Sequence, residues 1–372
     1  MREPYLLMKV LYITNIPSPY RVLFFDELSK YCKLTVVYDS PYALDRDETW
    51  KNREEKSYEN IFLKGVRVAS DKSLCFSIVS ILNKKYDAII IGSYSSPTAL
   101  IAIEYLRFHR IPYILNADGG FVCEKEAWIK RIIKTHFISG ASCYLSTGYL
   151  TDEYLKFYGA CDNNIHRYPF TSILEKDIIE YPPRFDQKVE LRKQLNINEE
   201  YMIISVGQFI PRKGYDLLIN SCRNMPENIG IYIVGGEINE YISSTCCPIP
   251  NNIHLIPFKK KEDLWKMYQA ADLFVFPTRE DIWGLVINEA EANALPIIST
   301  DHCIAGVETI KGNGKIVPID ADWCDEISAI LFDPQIAKYA AKSLEIAREY
   351  TIERMVESHM NTLKQLISLN LT

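Results

Sequence analysis

"DLFVFPTREDIWGLVINEAEANALPIIST" (272–300) decides how the chain is read. It opens with an apolar run that stops at Pro277, and the acidic turn Arg279-Glu280-Asp281-Ile282 comes next. Trp283-Gly284 then starts a stretch with helical spacing, and a second apolar run begins at Leu295. Strand, loop, helix and strand in this order make a βαβ unit. Both runs are continuously apolar rather than alternating, which suits parallel strands covered by helices on both faces.

The same alternation fills both halves of the chain. Further strands are expected at 201–207, 229–236, 252–258 and 314–319 in the second half. In the first half they fall at 9–15, 34–39, 87–93, 112–118 and 143–148, with helical patterns at 20–31, 96–109 and 124–138. From 167 to 188 the periodicity lapses around Pro169, Pro182 and Pro183. The spacing therefore predicts an α/β protein with two doubly wound parallel sheets. The first domain is expected over 1–175, the linker near 172–190 and the second domain over 186–349. The tail, 350–372, reads as an amphipathic helix that either caps the second sheet or returns to complete the first domain.

A chain of 372 residues is too long for one ordinary core, in keeping with two domains. Its net charge of −6 argues against a nucleic-acid partner. The ten cysteines include no CxxC pair and no signal peptide is legible at the start, so they read as reduced thiols and zinc is not expected. No apolar run reaches spanning length, and the cytoplasm is the expected compartment.

Ligands of doubly wound sheets sit at the carboxyl ends of strands, where loops lead into helix N-termini. In "SVGQFIPRKGYDLLI" (205–219) a strand ends at Gly207-Gln208, and Arg212-Lys213-Gly214 opens a helix. Free amides, the positive helix end and two cations make a receptor for a diphosphate. The second place is the opening stretch itself. Gly284 allows a ligand close to the backbone, and the amides of Gly284, Leu285 and Val286 would meet an anion. Asp281 and Glu289 stand on either side of these amides, placed to touch two parts of one extended ligand.

On these residues the chain resembles family 4 of the retaining glycosyltransferases along nearly its whole length. The strongest match is the family's E-x7-E region, here Asp281-x7-Glu289 within "REDIWGLVINEA". It is similar to the EDIWGLVxNEA type found in bacterial polysaccharide assembly. The second match runs from Val206-Gly207 to Lys213-Gly214. The resemblance implies the GT-B fold, two facing Rossmann-like domains with the active site in the interdomain cleft. It implies that Lys213 holds the diphosphate of a nucleoside-diphosphate sugar and Glu289 its ribose. Asp281 or Glu280 would then contact the sugar hydroxyls, and the amides near Gly284 and Leu285 the distal phosphate. A nucleotide sugar as co-substrate, with no metal and no other cofactor, is the expectation that follows.

Four departures stand out. Gln208 replaces the usual Arg, with Arg212 a candidate substitute, and Asp281 replaces Glu. Glu291 and Ala294 replace Met and Gly. Asp118, followed by Gly119-Gly120, stands where many members carry His. In the first half, the Pro-rich loop "TNIPSPYR" (14–21) resembles the family's loop near the donor phosphates and acceptor. Arg21 would add positive charge there, or else only pair with an acid such as Asp26. Asp118 is either an active-site group or a helix cap. The donor-binding candidates are thus Lys213, Arg212, Gly207, Gln208, Trp283, Gly284, Leu285, Glu289 and Arg21; the catalytic candidates are Asp118, Asp281 and Glu280.

In "EKEAWIKRIIKTHF" (124–137), Trp128, Ile129, Ile132, Ile133 and Phe137 form one stripe, ringed by Lys125, Lys130, Arg131 and Lys134. The ordinary reading puts that stripe in the domain core; the other lays the helix on an anionic membrane surface. His254 and His302 read as structural.

The expected activity is retaining transfer of a sugar from a nucleoside-diphosphate sugar to a glycan or lipid-linked acceptor. Bacterial surface polysaccharide or lipopolysaccharide assembly is the setting that the resemblance implies. Two alternatives share the scaffold: a nucleotide-sugar epimerase that needs no acceptor, and a non-catalytic subunit that binds sugar nucleotides or glycans.

Overall fold

The computed structural model describes residues 8–41, 57–123 and 125–370. Glu124 of the stripe-bearing stretch and residues 371–372 of the tail lie outside them. The chain divides into two compact units, Met1–Ser172 with Thr351–Thr372, and Ile173–Tyr350.

The first unit contains β1 (Lys9–Thr14), β2 (Lys33–Tyr38), β3 (Glu59–Phe62), the short pair β4 (Val66–Arg67) and β5 (Ser73–Leu74), β6 (Ala88–Ile91), β7 (Ile114–Asn116), β8 (Cys143–Ser146) and β9 (Ile165–Arg167). Apart from the antiparallel β4–β5 pair, these form one parallel sheet in the order β3-β2-β1-β6-β7-β8-β9. β1 lies inside it, between β2 and β6, and Val10 to Ile13 are buried. The connecting helices are α1 (Pro19–Leu28), α2 (Ile78–Leu82), α3 (Pro97–Phe108), α4 (Trp128–Ile138) and α5 (Tyr149–Phe157).

The second unit begins with α6 (Phe185–Gln194). Its strands are β10 (Tyr201–Val206), β11 (Ile229–Val234), β12 (Ile253–Ile256), β13 (Leu273–Phe276), β14 (Ile297–Thr300) and β15 (Gly314–Val317). They too are all parallel, in the order β12-β11-β10-β13-β14-β15. Around them lie α7 (Tyr215–Ser221), α8 (Glu240–Cys246), α9 (Lys261–Ala270), α10 (Leu285–Ala292), α11 (Ile304–Thr309), α12 (Trp323–Leu331) and α13 (Ile336–Ala347). Every residue of β11 and β13 is buried, the property that made these runs read as continuously apolar.

The tail forms one helix, separate from the last helix of the second unit. α13 ends at Ala347, and the buried Thr351 starts a new one by accepting a hydrogen bond from the Arg354 amide at 3.3 Å, three residues on. This last helix, α14 (Ile352–Asn370), belongs to the first unit, where His359 lies between Phe24 of α1 and Tyr168. Among the described residues, no helix is long and apolar enough to cross a membrane.

α4 overturns the ordinary reading of its stripe. Trp128, Ile129, Ile132 and Ile133 are 70, 56, 57 and 50% exposed, while Ile138 at the helix end is buried and Phe137 packs only partly on the core. The helix is held by its polar side instead. Lys134 Nζ and the Tyr158 hydroxyl both reach Glu126, each at 2.6 Å, and the Arg131 guanidinium lies 4.2 Å from the Phe157 ring centroid. Lys134 thus faces the protein while the hydrocarbon stripe faces outward, with Lys130 and Arg131 exposed beside it.

Candidate active site

At the carboxyl edge of the second sheet, two loops are laced together before any ligand is considered. Gly214 has φ 71°, and a Cβ there would sit 1.9 Å from the Pro277 carbonyl oxygen, so only glycine lets the loop after β10 touch the end of β13. The Arg212 carbonyl accepts from the Arg279 amide at 2.8 Å and from Thr278 Oγ1 at 3.1 Å. Arg279 in turn clamps Asp216 through two 2.7 Å bonds. That contact overcomes the desolvation of Asp216 and holds its carboxyl below the ordinary value.

This lacing brings together residues 68 positions apart. Lys213 is buried, lies 4.7 Å from the Phe276 ring centroid, and its Nζ meets Asp281 Oδ2 at 2.5 Å. Arg212 is more open; it donates to the Glu280 carbonyl at 2.7 Å and stands 3.8 Å from Asp281 Oδ1. The acidic turn is pinned from behind by an isolated bridge to Cys303, with the Asp281 amide donating to the His302 carbonyl at 2.9 Å. Gly284, at φ 99°, packs so closely that a Cβ would lie 2.5 Å from Cys303 Sγ. Burial pushes that thiol up to about 12, so it stays a neutral filler.

α10 starts directly after this glycine. The Ile287 amide bonds the Gly284 carbonyl at 2.9 Å, and the Leu285 and Val286 amides precede it, as the unladdered first amides of a helix do. Two cations, a helix start and one carboxylate therefore share the strand-end region. Chemically, that arrangement can receive an oxyanion and, through Asp281, a hydroxyl. Glu289, two turns along α10, is half-buried and accepts a 3.0 Å hydrogen bond from the Tyr268 hydroxyl. Burial pushes its carboxyl up to about 7, against the opposing effects of Tyr268 and Lys261.

Other candidates lie differently. Glu280 meets Arg212 through its backbone, and its side chain is exposed. Gln208 is exposed on the loop after β10, beside Gly207, where a Cβ would lie 2.7 Å from the Tyr215 hydroxyl. Trp283 needs correction as a ligand-facing side chain: its indole is 3% exposed and donates to Asn288 Oδ1 at 2.9 Å, inside the unit. Asn288 leads on to Glu291, which is fully buried and accepts from Asn288 and Asn313 at 3.2 and 3.3 Å. Glu291 thus fills an apolar residue's place as the centre of a buried polar network, and burial pushes its carboxyl up to about 7. Ala294 sits just past the end of α10 at φ 57°, a left-handed position that favours glycine.

In the first unit, Arg21 and Asp118 are each other's partners. The buried Arg21 guanidinium pairs with both Asp118 oxygens and donates to the Tyr12 hydroxyl at 2.9 Å. Burial opposes its charge, but Asp118 and the surrounding tyrosines more than offset that and keep it protonated. Asp118 also accepts from Asn116 at 2.8 Å and the Tyr168 hydroxyl at 2.9 Å. Arg21 thus pairs with an acid, as one of its two readings expected, but the acid is Asp118 rather than Asp26, which accepts from Ser57 at 2.9 Å; Asp118 caps no helix, since α4 begins at Trp128. Arg21 is not a free cation.

Sequence reasoning missed Tyr268, Cys303, Phe276 and the Arg279–Asp216 clamp. Tyr268 lies in α9, Cys303 just before α11 and Phe276 at the end of β13, with no local pattern to mark them. The clamp joins residues 63 apart and carries no local signal.

Comparisons with known proteins fit this geometry. Residues 187–348 match the family model "Glycosyl transferases group 1". A D-inositol 3-phosphate glycosyltransferase from Xylanimonas cellulosilytica is 24% identical over 238 residues, 59% of this chain and 56% of that protein. The chain spans about half the length of this curated relative. Among solved structures, a sucrose-phosphate synthase from Thermosynechococcus elongatus superposes with TM-score 0.75 at 16% identity, covering 97% of this chain and 100% of that one. Anabaena Alr3699/HepE in complex with UDP and glucose gives TM-score 0.73 at 16% identity, covering 96% and 99%. These likenesses establish the fold as GT-B, built of two Rossmann-like domains.

Proposed function

We propose that this chain is a retaining, metal-independent glycosyltransferase that moves a sugar from a nucleoside-diphosphate sugar to a glycan or lipid-linked acceptor. The observation that carries the reading is the convergence of Lys213, Arg212, Asp281 and the start of α10 at one strand-end site. The site lies within the stretch that matches the glycosyltransferase model. Charge develops on the diphosphate as the glycosidic bond breaks. Lys213, Arg212 and the Leu285 and Val286 amides are groups that stabilise such charge without a divalent ion. Asp281 takes sugar hydroxyls and Glu289 the ribose. Retention follows from attack on the face that the leaving group departs from, with the departing phosphate accepting the acceptor's proton. The setting is bacterial surface polysaccharide or lipopolysaccharide assembly in the cytoplasm.

The test is calorimetric titration with UDP, GDP and ADP and their sugar conjugates. One nucleoside diphosphate should bind selectively, Lys213→Ala and Glu289→Ala should each weaken it in a folded protein, and EDTA should leave turnover intact. Wild-type affinity in both variants would place the site elsewhere; turnover of the sugar nucleotide without any acceptor would point to an epimerase.

The same reading includes peripheral contact with an anionic membrane through 124–137, of which 125–137 are described. Its support is the outward apolar face of α4, flanked by the exposed Lys125, Lys130 and Arg131. Trp128→Ser/Ile132→Ser should lose co-sedimentation with phosphatidylglycerol vesicles while the glycosyl transfer to a soluble acceptor persists. Equal binding by variant and wild type would reject the contact. Lys134 is unsuitable for this test because it holds Glu126 and Tyr158.

A further inference from the structure

Asp39 directly follows β2, in the first unit, and takes no part in the arrangements above. Its backbone is fixed, the amide donating to the Thr14 carbonyl at 3.1 Å. The residue is 2% exposed, yet neither carboxylate oxygen has a hydrogen-bond partner among the described residues. Natural interiors rarely leave a carboxyl group in that state, because desolvation without compensating bonds is costly in either protonation state. Burial pushes the group up to about 7, with Ser96 and Lys72 working against that shift and Asp71 with it.

Its place in the fold says what it is for. In the order β3-β2-β1-β6, chain order reverses between β1 and β6, and the strand ends beside such a reversal are where doubly wound sheets take ligands. In the dinucleotide-binding version, the acid after the second strand accepts from a ribose diol. A second nucleotide site does not fit here, however. The loop after β1 reads Asn15-Ile16-Pro17-Ser18-Pro19, with no glycine turn and two residues lacking an amide donor, so it cannot cradle phosphates. What remains is the part of the ligand that presents hydroxyls. Two of the neighbours are already tied down: Asn15 donates to Asp71 at 2.7 Å and Arg67 to Ser40 at 2.7 Å. Ser96 Oγ accepts from the Ala99 amide at 3.1 Å, and its hydroxyl proton faces Asp39 without closing a hydrogen bond of good geometry, so the carboxylate stays short of the donors a buried acid needs.

We propose that Asp39 is the hydroxyl-reading carboxylate of a saccharide subsite at the carboxyl ends of β1 and β2, accepting from a pair of neighbouring hydroxyls on the sugar acceptor. This rests on the transferase reading and gives its acceptor a chemistry: a neutral polyol at this point, rather than a phosphate.

The experiment compares wild type with Asp39→Asn and Asp39→Leu by thermal melting at neutral to mildly alkaline pH, and by saturation-transfer NMR. The probes are glucose, galactose, mannose and myo-inositol, with inorganic phosphate as the charged control. A carboxylate kept for a ligand burdens the empty protein, so both variants should melt at or above the wild-type temperature. At least one polyol should contact wild type and not the variants, and phosphate should contact neither. A fall in melting temperature for both variants would make Asp39 a structural group and overturn the proposal. So would retained polyol contact in Asp39→Asn, or no polyol contact in wild type. Nucleoside diphosphate binding separates the two levels. If it is present in all three proteins while the polyol result fails, only the subsite is lost; if it is absent from wild type, the transferase reading itself fails.

Discussion

Replacing Asp281 by Asn should tighten the binding of a bare nucleoside diphosphate. The carboxylate occupies Lys213 at 2.5 Å, with the two side chains only 16 and 11% exposed. That shielding lifts the contact above an open surface pair, worth about 0–1 kcal/mol, towards a charge-assisted hydrogen bond of about 1.5–3 kcal/mol. A diphosphate that takes Lys213 must displace Asp281 or accept its repulsion. Removing the competing charge should return about 1–2 kcal/mol, or ~5–30-fold in affinity. Lys213→Ala should instead lose about 1.5–3 kcal/mol, or ~10–150-fold. For the sugar conjugate the Asp281→Asn gain should shrink or reverse, because the carboxylate is then a sugar contact. Titration calorimetry with the diphosphate and its sugar conjugate, each at low and high salt, measures these effects; the gain should fall as salt screens the site. If Asp281→Asn weakens the bare diphosphate as much as Lys213→Ala does, Asp281 positions the lysine and the competition argument is wrong.

Three further perturbations follow from the second unit. Ala294→Gly relieves a left-handed alanine and should stabilise by about 1 kcal/mol, seen as a rise in melting temperature; a fall would mean that the methyl group contributes more by packing than it costs in strain. Gly214→Ala must drive a Cβ into the Pro277 carbonyl, so its destabilisation should exceed the ~1 kcal/mol typical of point changes, and nucleotide binding should go with it. Glu289→Gln tests the carboxyl raised to about 7. Below its ordinary value of 4.5, both folded and unfolded chains hold the proton and no penalty arises. As pH rises the unfolded chain releases it first, so folded wild type loses stability until the pH passes about 7. The melting advantage of the glutamine variant should therefore grow between about pH 5 and pH 8, to at most about 3 kcal/mol, and a flat difference would show that the group is not held in a desolvated place.

The central strands were readable because parallel strands buried on both faces have nowhere to put polar residues; β11 and β13 are the clearest cases. The edge strands β3 and β9 escaped notice for the opposite reason: they are four and three residues long and only half-buried, and Glu59, Asn60, His166 and Arg167 break any apolar run. In α4 the periodicity correctly grouped Trp128, Ile129, Ile132 and Ile133 on one face. Period alone does not say which way a face points, and here Glu126 and Tyr158 draw Lys134 inward and leave the apolar stripe outside. At the candidate site, the motif spacing marked Lys213, Asp281 and Gly284. That Lys213 and Asp281 form a pair, or that Arg21 answers to Asp118 at a separation of 97 residues, depends on strand order and has no counterpart in local sequence.

The route of the chain also sets an order in time. The second unit, Ile173–Tyr350, is continuous and has every strand it needs once its last residue leaves the ribosome. The first unit is not. Its sheet is finished at β9, but His359, 3.0 Å from Asn116 Oδ1 and packed on Phe24, arrives only after the whole second unit has been made. At ordinary elongation speeds that leaves the Asn116–Asp118–Arg21 network without its last neighbour for on the order of ten seconds or more. During that interval α1 shows nascent-chain partners the surface that α14 will cover. The unit synthesised first is thus the one completed last, and chaperone dependence in the cell should fall on its half of the molecule.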